Sequence, residues 1–216
     1  MNIAQTTMFS TMLKNEPSLR TQDKLSDELS DYSMEMISVS HKARKEVENF
    51  VSQSYKQHFG ANLKSFFPEI LCVREINSGK LIGAVGFRFA HQQKLFSECY
   101  LQKPVEQLIA CHEIKPIERK KILELGNFAV ENSKHIKTVI TLASRIIKNS
   151  QADWTVYTLT LPIKFHFKKL DIELNSLGLA DISAVNGAAA DWGSYYSYRP
   201  TVYYSSVQNN MNEQQV

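Results

Sequence analysis

Lys121-Ile122-Leu123-Glu124-Leu125-Gly126-Asn127-Phe128-Ala129-Val130 reads as a strand in the middle of a sheet, apolar almost throughout but carrying one carboxylate. It runs into Glu131-Asn132-Ser133. Beyond that turn Ile136, Val139, Ile140, Ala143, Ile146 and Ile147 recur at the spacing of one helical face. From Asp153 to Leu161, Trp154, Val156, Tyr157 and Leu159 mark a second strand of β-forming residues. Two strands joined through a helix form a parallel crossover, because a hairpin cannot connect parallel neighbours. This unit places the chain in the α/β class.

On the N-terminal side, Met34 to Val39 alternates like a half-buried strand. His41 to Phe59 then carries Val47, Phe50, Val51 and Tyr55 on one helical face, with Gly60 at the expected C-terminal cap. Glu69 to Ile76 and Lys80 to Ala90 flank the turn signal Asn77-Ser78-Gly79 and predict a hairpin. Leu95–Leu101 and Pro104–Cys111 read as two short helices. On the C-terminal side Pro162 opens another short helix at its favoured first position. Weaker strands are expected at Leu174–Leu179 and Thr201–Val207. The folded domain is thus expected over 34–207. Residues 1–33 read as a flexible extension with one short helix at Asp23–Leu29, and 208–216 as a disordered Asn/Gln-rich tail.

Twenty-five basic and twenty-two acidic residues give a net charge of +3, too mild and too dispersed for a nucleic-acid surface. Cys72, Cys99 and Cys111 show no metal-binding spacing and read as free thiols of a reducing compartment, here the cytoplasm. No metal site is expected. The first residues lack a signal-peptide pattern, and no apolar run reaches the roughly 20 residues of a membrane span. No stable membrane insertion is expected.

Two charges stand where charges are costly. Glu124 interrupts an apolar strand and faces opposite to Leu123 and Leu125. It is a candidate general base, or the partner of Arg88 at the end of the preceding strand. Arg88 in turn needs a carboxylate, from Glu124, Glu98 or a substrate. Glu98, in Leu95-Phe96-Ser97-Glu98-Cys99-Tyr100, is a second carboxylate candidate or a surface residue. Trp192, Tyr195 and Tyr196 form an aromatic segment that either covers the core or lines an acyl-chain pocket. No Ser-His-Asp order or nucleophile elbow supports hydrolysis.

Phe67-Pro68, Gly86-Phe87-Arg88, Leu95 to Leu101, Pro104-Val105-Glu106, Glu124 to Ala129, Trp192 to Tyr196 and Pro200-Thr201-Val202 occur in an order that resembles the thermostable hemolysin family. The crossover resembles that of GNAT-type acyltransferases, and the central strand that of acyl-homoserine-lactone synthases. The resemblance implies an α/β fold with a GNAT-like mixed central sheet, its two parallel strands splayed and flanked by helices. It implies transfer of an acyl group from a phosphopantetheine thioester, carried by acyl carrier protein or coenzyme A, to a small amine, with no tightly bound cofactor. Glu124, Glu98 and Arg88 become the catalytic candidates. Asn127 and Phe128, where such strands bulge, become substrate-binding candidates together with Trp192, Tyr195 and Tyr196. Lys134, His135 and Lys137, at the start of the crossover helix, become the donor-phosphate candidates. No glycine lies between Gly126 and Gly178, so the glycine-rich phosphate loop is missing and a carrier-bound donor is favoured over free coenzyme A. The alternatives are a membrane-active lytic protein, which the family name implies, and a non-catalytic binding module on the same scaffold.

Overall fold

A computed structural model of the chain describes residues 29–185 and 189–208. The expected N-terminal extension up to residue 28 and the tail from 209 lie outside the described residues.

Seven strands form one sheet in the order β1-β2-β3-β4-β5-β7-β6. They are β1 (Tyr32–Ile37), β2 (Glu69–Glu75), β3 (Leu81–Phe89), β4 (Ile122–Val130), β5 (Trp154–Leu159), β6 (Asn175–Leu179) and β7 (Thr201–Ser206). Every neighbouring pair is antiparallel except β4 and β5. That parallel pair is the predicted crossover, bridged by helix α3 (Ile136–Lys148). The other α-helices lying wholly among the described residues are α1 (Arg44–Phe59), α2 (Val105–Glu113) and α4 (Leu161–Lys169).

Burial explains the layering. The apolar stripe of α3 is buried in one cluster with Leu71, Ile82, Phe87, Leu123 and Leu125, which covers one face of the sheet. The opposite face is shared by two clusters. Val47 and Val51 of α1 pack on Ile70, Cys72 and Ala84, while Val105 and Ile109 of α2 pack on Ile122, Val156 and Tyr204. The seam between those two clusters positions the site.

Leu95–Leu101 does not form the expected helix. Only a 3-10 turn at Ser97–Cys99 is helical, because the backbone there is captured by two buried carboxylates rather than by its own carbonyls. The three thiols are free: Cys72 is buried, Cys99 half-buried and Cys111 exposed. Burial pushes the Cys72 thiol up to about 11. No helix among the described residues is long and apolar enough to cross a membrane.

Candidate active site

The parallel pairing of β4 with β5 runs from Ile122 opposite Trp154 to Leu125 opposite Tyr157 and stops there, although both strands continue. The strands splay beyond that point. Gly126 and Thr158, the first residues past the last pair, line a cavity of about 270 Å³ on the face carrying α1 and α2. On the other face the same strands, with Phe128, Ile140, Ala143 and Phe167, border a smaller hollow of about 20 Å³. Leu125 lines both, so the two hollows lie back to back where the strands part.

A bulge makes the two linings differ. Register between β3 and β4 shifts between Ala84 and Gly86, so that Val85 faces both Asn127 and Phe128. Asn127 adopts a left-handed conformation (φ 48°), which asparagine tolerates better than most residues. Asn127 lines the large cavity and accepts a hydrogen bond from Phe67 N at 2.8 Å through its side-chain oxygen. Phe128, the neighbouring candidate, lines the opposite hollow instead.

Phe67 explains two glycines. A Cβ on Gly86 would lie 2.7 Å from Phe67 Cβ, and one on Gly126 would lie 2.5 Å from Phe67 Cζ. The ring therefore lies against the bare backbone of β3 and β4 on the cavity wall. The Arg88 guanidinium sits 4.2 Å from the centre of that ring.

Arg88 and Glu124 are direct cross-strand partners, and Arg88 Nη2 lies 2.9 Å from Glu124 Oε2. The same Oε2 accepts from Arg88 Nε at 3.1 Å and Phe96 N at 3.0 Å, while Oε1 accepts from Ser97 N at 2.7 Å. Glu124, only 2% exposed, thus meets four N–H donors of the protein. The Ser97 hydroxyl, fully buried beside this network, has no hydrogen-bond partner among the described residues. Arg88 Nη1 donates to no group among the described residues, and Arg88 lines the cavity.

Glu98 is buried, contrary to the surface alternative, and lies away from the cavity lining. It accepts from Leu95 N and Val105 N, fastening the start of α2, and takes Arg119 in a forked pair at 2.6 and 2.8 Å. Arg119 was hidden in the charged run Glu118–Lys121, which reads as solvated surface. Burial pushes the Glu98 carboxyl up, but hydrogen bonds from Arg119, Val105 N and Leu95 N outweigh it and leave the group below its usual range. A carboxylate depressed by folding stabilises the fold above its unfolded pKa of about 4.3, and that contribution is lost as pH falls through the folded value. Glu98→Gln should cost about 1.5–3 kcal/mol at pH 7, the range for charged hydrogen bonds. Urea midpoints should show the gap to the native chain closing as pH drops below about 4. A gap independent of pH would contradict this assignment.

The aromatic segment divides. Trp192 and Tyr195 line the cavity, with Trp192 ring centres 5.8 Å from Phe96 and 5.2 Å from Tyr195. Tyr196 does not line it; its hydroxyl meets that of Tyr100 at 2.6 Å. Gly193 (φ 50°) and Ser194 N, which donates to Phe59 O at 2.7 Å, tie the segment to the end of α1. Tyr55, Asn62, Lys64 and Asp191 also line the cavity and were not singled out by sequence. They come from α1 and from loops whose convergence no local pattern reveals.

At the start of the crossover helix, Asn132 caps the backbone of Lys134, and the side chains of Lys134 and Lys137 are exposed. His135, expected beside them, is turned inward. It is 3% exposed, its ring stands edge-on to Tyr32, and its Nε2 lies 3.5 Å from Glu131 without a hydrogen bond. Two of the three expected cations therefore face outward.

No group of three or more His, Cys, Asp or Glu side chains among the described residues is arranged to hold a metal ion.

Solved structures with a similar fold include FeeM, an N-acyl amino acid synthase from uncultured soil microbes, with a TM-score of 0.57 at 14% identity over 84% of this chain and 93% of that one. The AHL synthase LasI gives 0.52 at 12% over 82% and 90%, and MesI, a CoA-dependent acyl-homoserine lactone synthase, gives 0.51 at 16% over 84% and 92%. At such identities the likeness establishes the GNAT-like acyltransferase fold. No curated protein matches the sequence. The family model described as thermostable hemolysin matches residues 37–211, most of the chain, which therefore belongs to the thermostable hemolysin family.

Proposed function

We propose that the protein is an acyltransferase that joins an acyl group from a phosphopantetheine thioester to a small amine or amino-acid-derived acceptor. The observation that carries this reading is the parting of β4 and β5 past Leu125 and Tyr157, with a differently lined hollow on each face. The donor approaches along the α3/α4 face, its phosphate near Lys134 and Lys137 at the positive end of the α3 dipole. The thioester reaches the gap and the acceptor waits in the larger cavity. Both the carrier-protein and the coenzyme A form of the donor suit this approach. FeeM, by its description, makes N-acyl amino acids, which supports an amine acceptor.

The chemistry is direct. The acceptor nitrogen attacks the thioester carbonyl carbon, an N–C bond forms, the C–S bond breaks, and the proton shed by nitrogen ends on the departing sulfur. N–H groups released from the ladder at the Asn127–Phe128 bulge steady the developing oxyanion. Glu124 is the carboxylate at the gap. Among the described residues its Oε1 accepts only Ser97 N and keeps a lone pair for the amine, while its Oε2 fixes Arg88. Glu98 serves by holding the 95–105 backbone in place.

The purified chain should be incubated with acyl-CoA, acyl-loaded carrier protein and an amine pool, and the products read by mass spectrometry. An N-acyl product that falls at least a hundredfold in Glu124→Gln is expected. Absence of product with every donor, together with a folded Glu124→Gln chain, would leave the neutralised Arg88–Glu124 pair as the mark of a non-catalytic binding module.

A further inference from the structure

The lining of the acceptor cavity is unevenly distributed. Phe96, Trp192 and Tyr195 form a packed aromatic wall, with neighbouring ring centres 5.2–5.8 Å apart. Arg88 lines the same space, and its Nη1 has no partner among the described residues. The guanidinium plane is held from two sides, by Glu124 and by the Phe67 ring. Already sharing its charge with Glu124 does not disqualify it. Arg119 in this same chain places one Nη1 2.6 Å from both Glu98 and Glu106.

The cavity volume, about 270 Å³, lies just below the roughly 300–1,000 Å³ of drug-sized ligand sites. That suits a single amino acid. Aromatic walls favour an aromatic ring by edge-to-face and offset contacts beyond simple burial. A fixed, unspent guanidinium favours a carboxylate and disfavours a cationic side chain.

We infer that the acceptor is an amino acid with an aromatic side chain, its carboxylate held by Arg88 Nη1 and its ring seated against Trp192 and Phe96. The inference rests on the acceptor-site reading of this cavity, and deepens it. The competing occupant of an aromatic wall is the acyl chain itself, which would have no use for the guanidinium.

Binding to the full chain is measured calorimetrically without donor, using phenylalanine, its decarboxylated analogue phenethylamine, leucine and lysine. Phenylalanine should bind at least tenfold more tightly than each of the other three. Arg88→Gln should abolish the preference over phenethylamine, and Trp192→Leu the preference over leucine. Should either variant fail to fold, the four ligands on the unaltered chain decide the matter alone. Equal binding of phenylalanine and phenethylamine, or a preference for leucine or lysine, would overturn the assignment. So would a Trp192→Leu chain whose acceptor preference is intact while its donor chain-length preference shifts. Because binding is read without chemistry, a protein that binds phenylalanine selectively but forms no acyl product refutes acyl transfer and leaves this assignment standing. Acylation of amines without the selectivity does the reverse.

Discussion

Glu124→Ala is expected to destabilise the chain by about 3–5 kcal/mol, the cost of removing one partner from a buried pair. The substitution strips Arg88 of both contacts to its carboxylate and leaves Phe96 N and Ser97 N without their acceptor. Domains are stable by only about 5–15 kcal/mol, so this is a large share of the whole. Urea denaturation measures it. The double variant Glu124→Leu with Arg88→Met should recover part of the loss, since it removes both charges and offers apolar volume in their place. A single variant within about 1 kcal/mol of the native chain would fall below this range and show that Arg88 finds another partner. Activity should fall further than stability alone explains, because the Phe96–Ser97 backbone helps shape the cavity and displacement by about an ångström can cost about a hundredfold in rate.

The second large effect lies at Gly193. Its φ of 50° puts it in the left-handed region, and a Cβ there would stand 1.9 Å from Phe59 O. The obstacle is a backbone carbonyl at the end of α1, which cannot rotate aside as a side chain can. Gly193→Ala therefore meets about 1–2 kcal/mol of conformational cost and about 1–3 kcal/mol of overpacking. The natural escape is for residues 191–195 to lift from α1, breaking the Ser194 N to Phe59 O bond. Trp192 and Tyr195 would then leave the cavity wall together. Acceptor affinity and Trp fluorescence should both change well before global unfolding. A variant that keeps both at native values would show that this segment is not fastened through Gly193.

The crossover was legible because its signal is local: β4, α3 and β5 each carry the apolar period of their own geometry. The Arg88–Glu124 pair was legible as one of two readings, since both charges interrupt apolar strands and had to be answered. What escaped was set by distance along the chain. Glu98 finds Arg119 21 residues away, and Phe67 finds Asn127 60 residues away. Neither meeting leaves a trace in a short window. The turn at Ser97–Cys99 was misjudged as a longer helix because its backbone bonds go to side chains on other elements. Phe128 and Asn127 were expected to act together, but neighbours on a strand face opposite sides, and the bulge turns Asn127 rather than Phe128 toward the face of Glu124. His135 shows the limit of reading charge at a helix start, where the fraction of a turn between successive residues decides between solvent and core.

Hollows on both faces of one sheet, meeting at Leu125, constrain release as well as entry. Under the proposed acyl transfer, reactants held on opposite faces would not block each other, and a ternary complex would assemble in either order. A product bonded across the parted strands would have to be drawn out past Gly126 and Thr158. Products bulky at both ends would then linger, and turnover would be set by their exit rather than by bond formation.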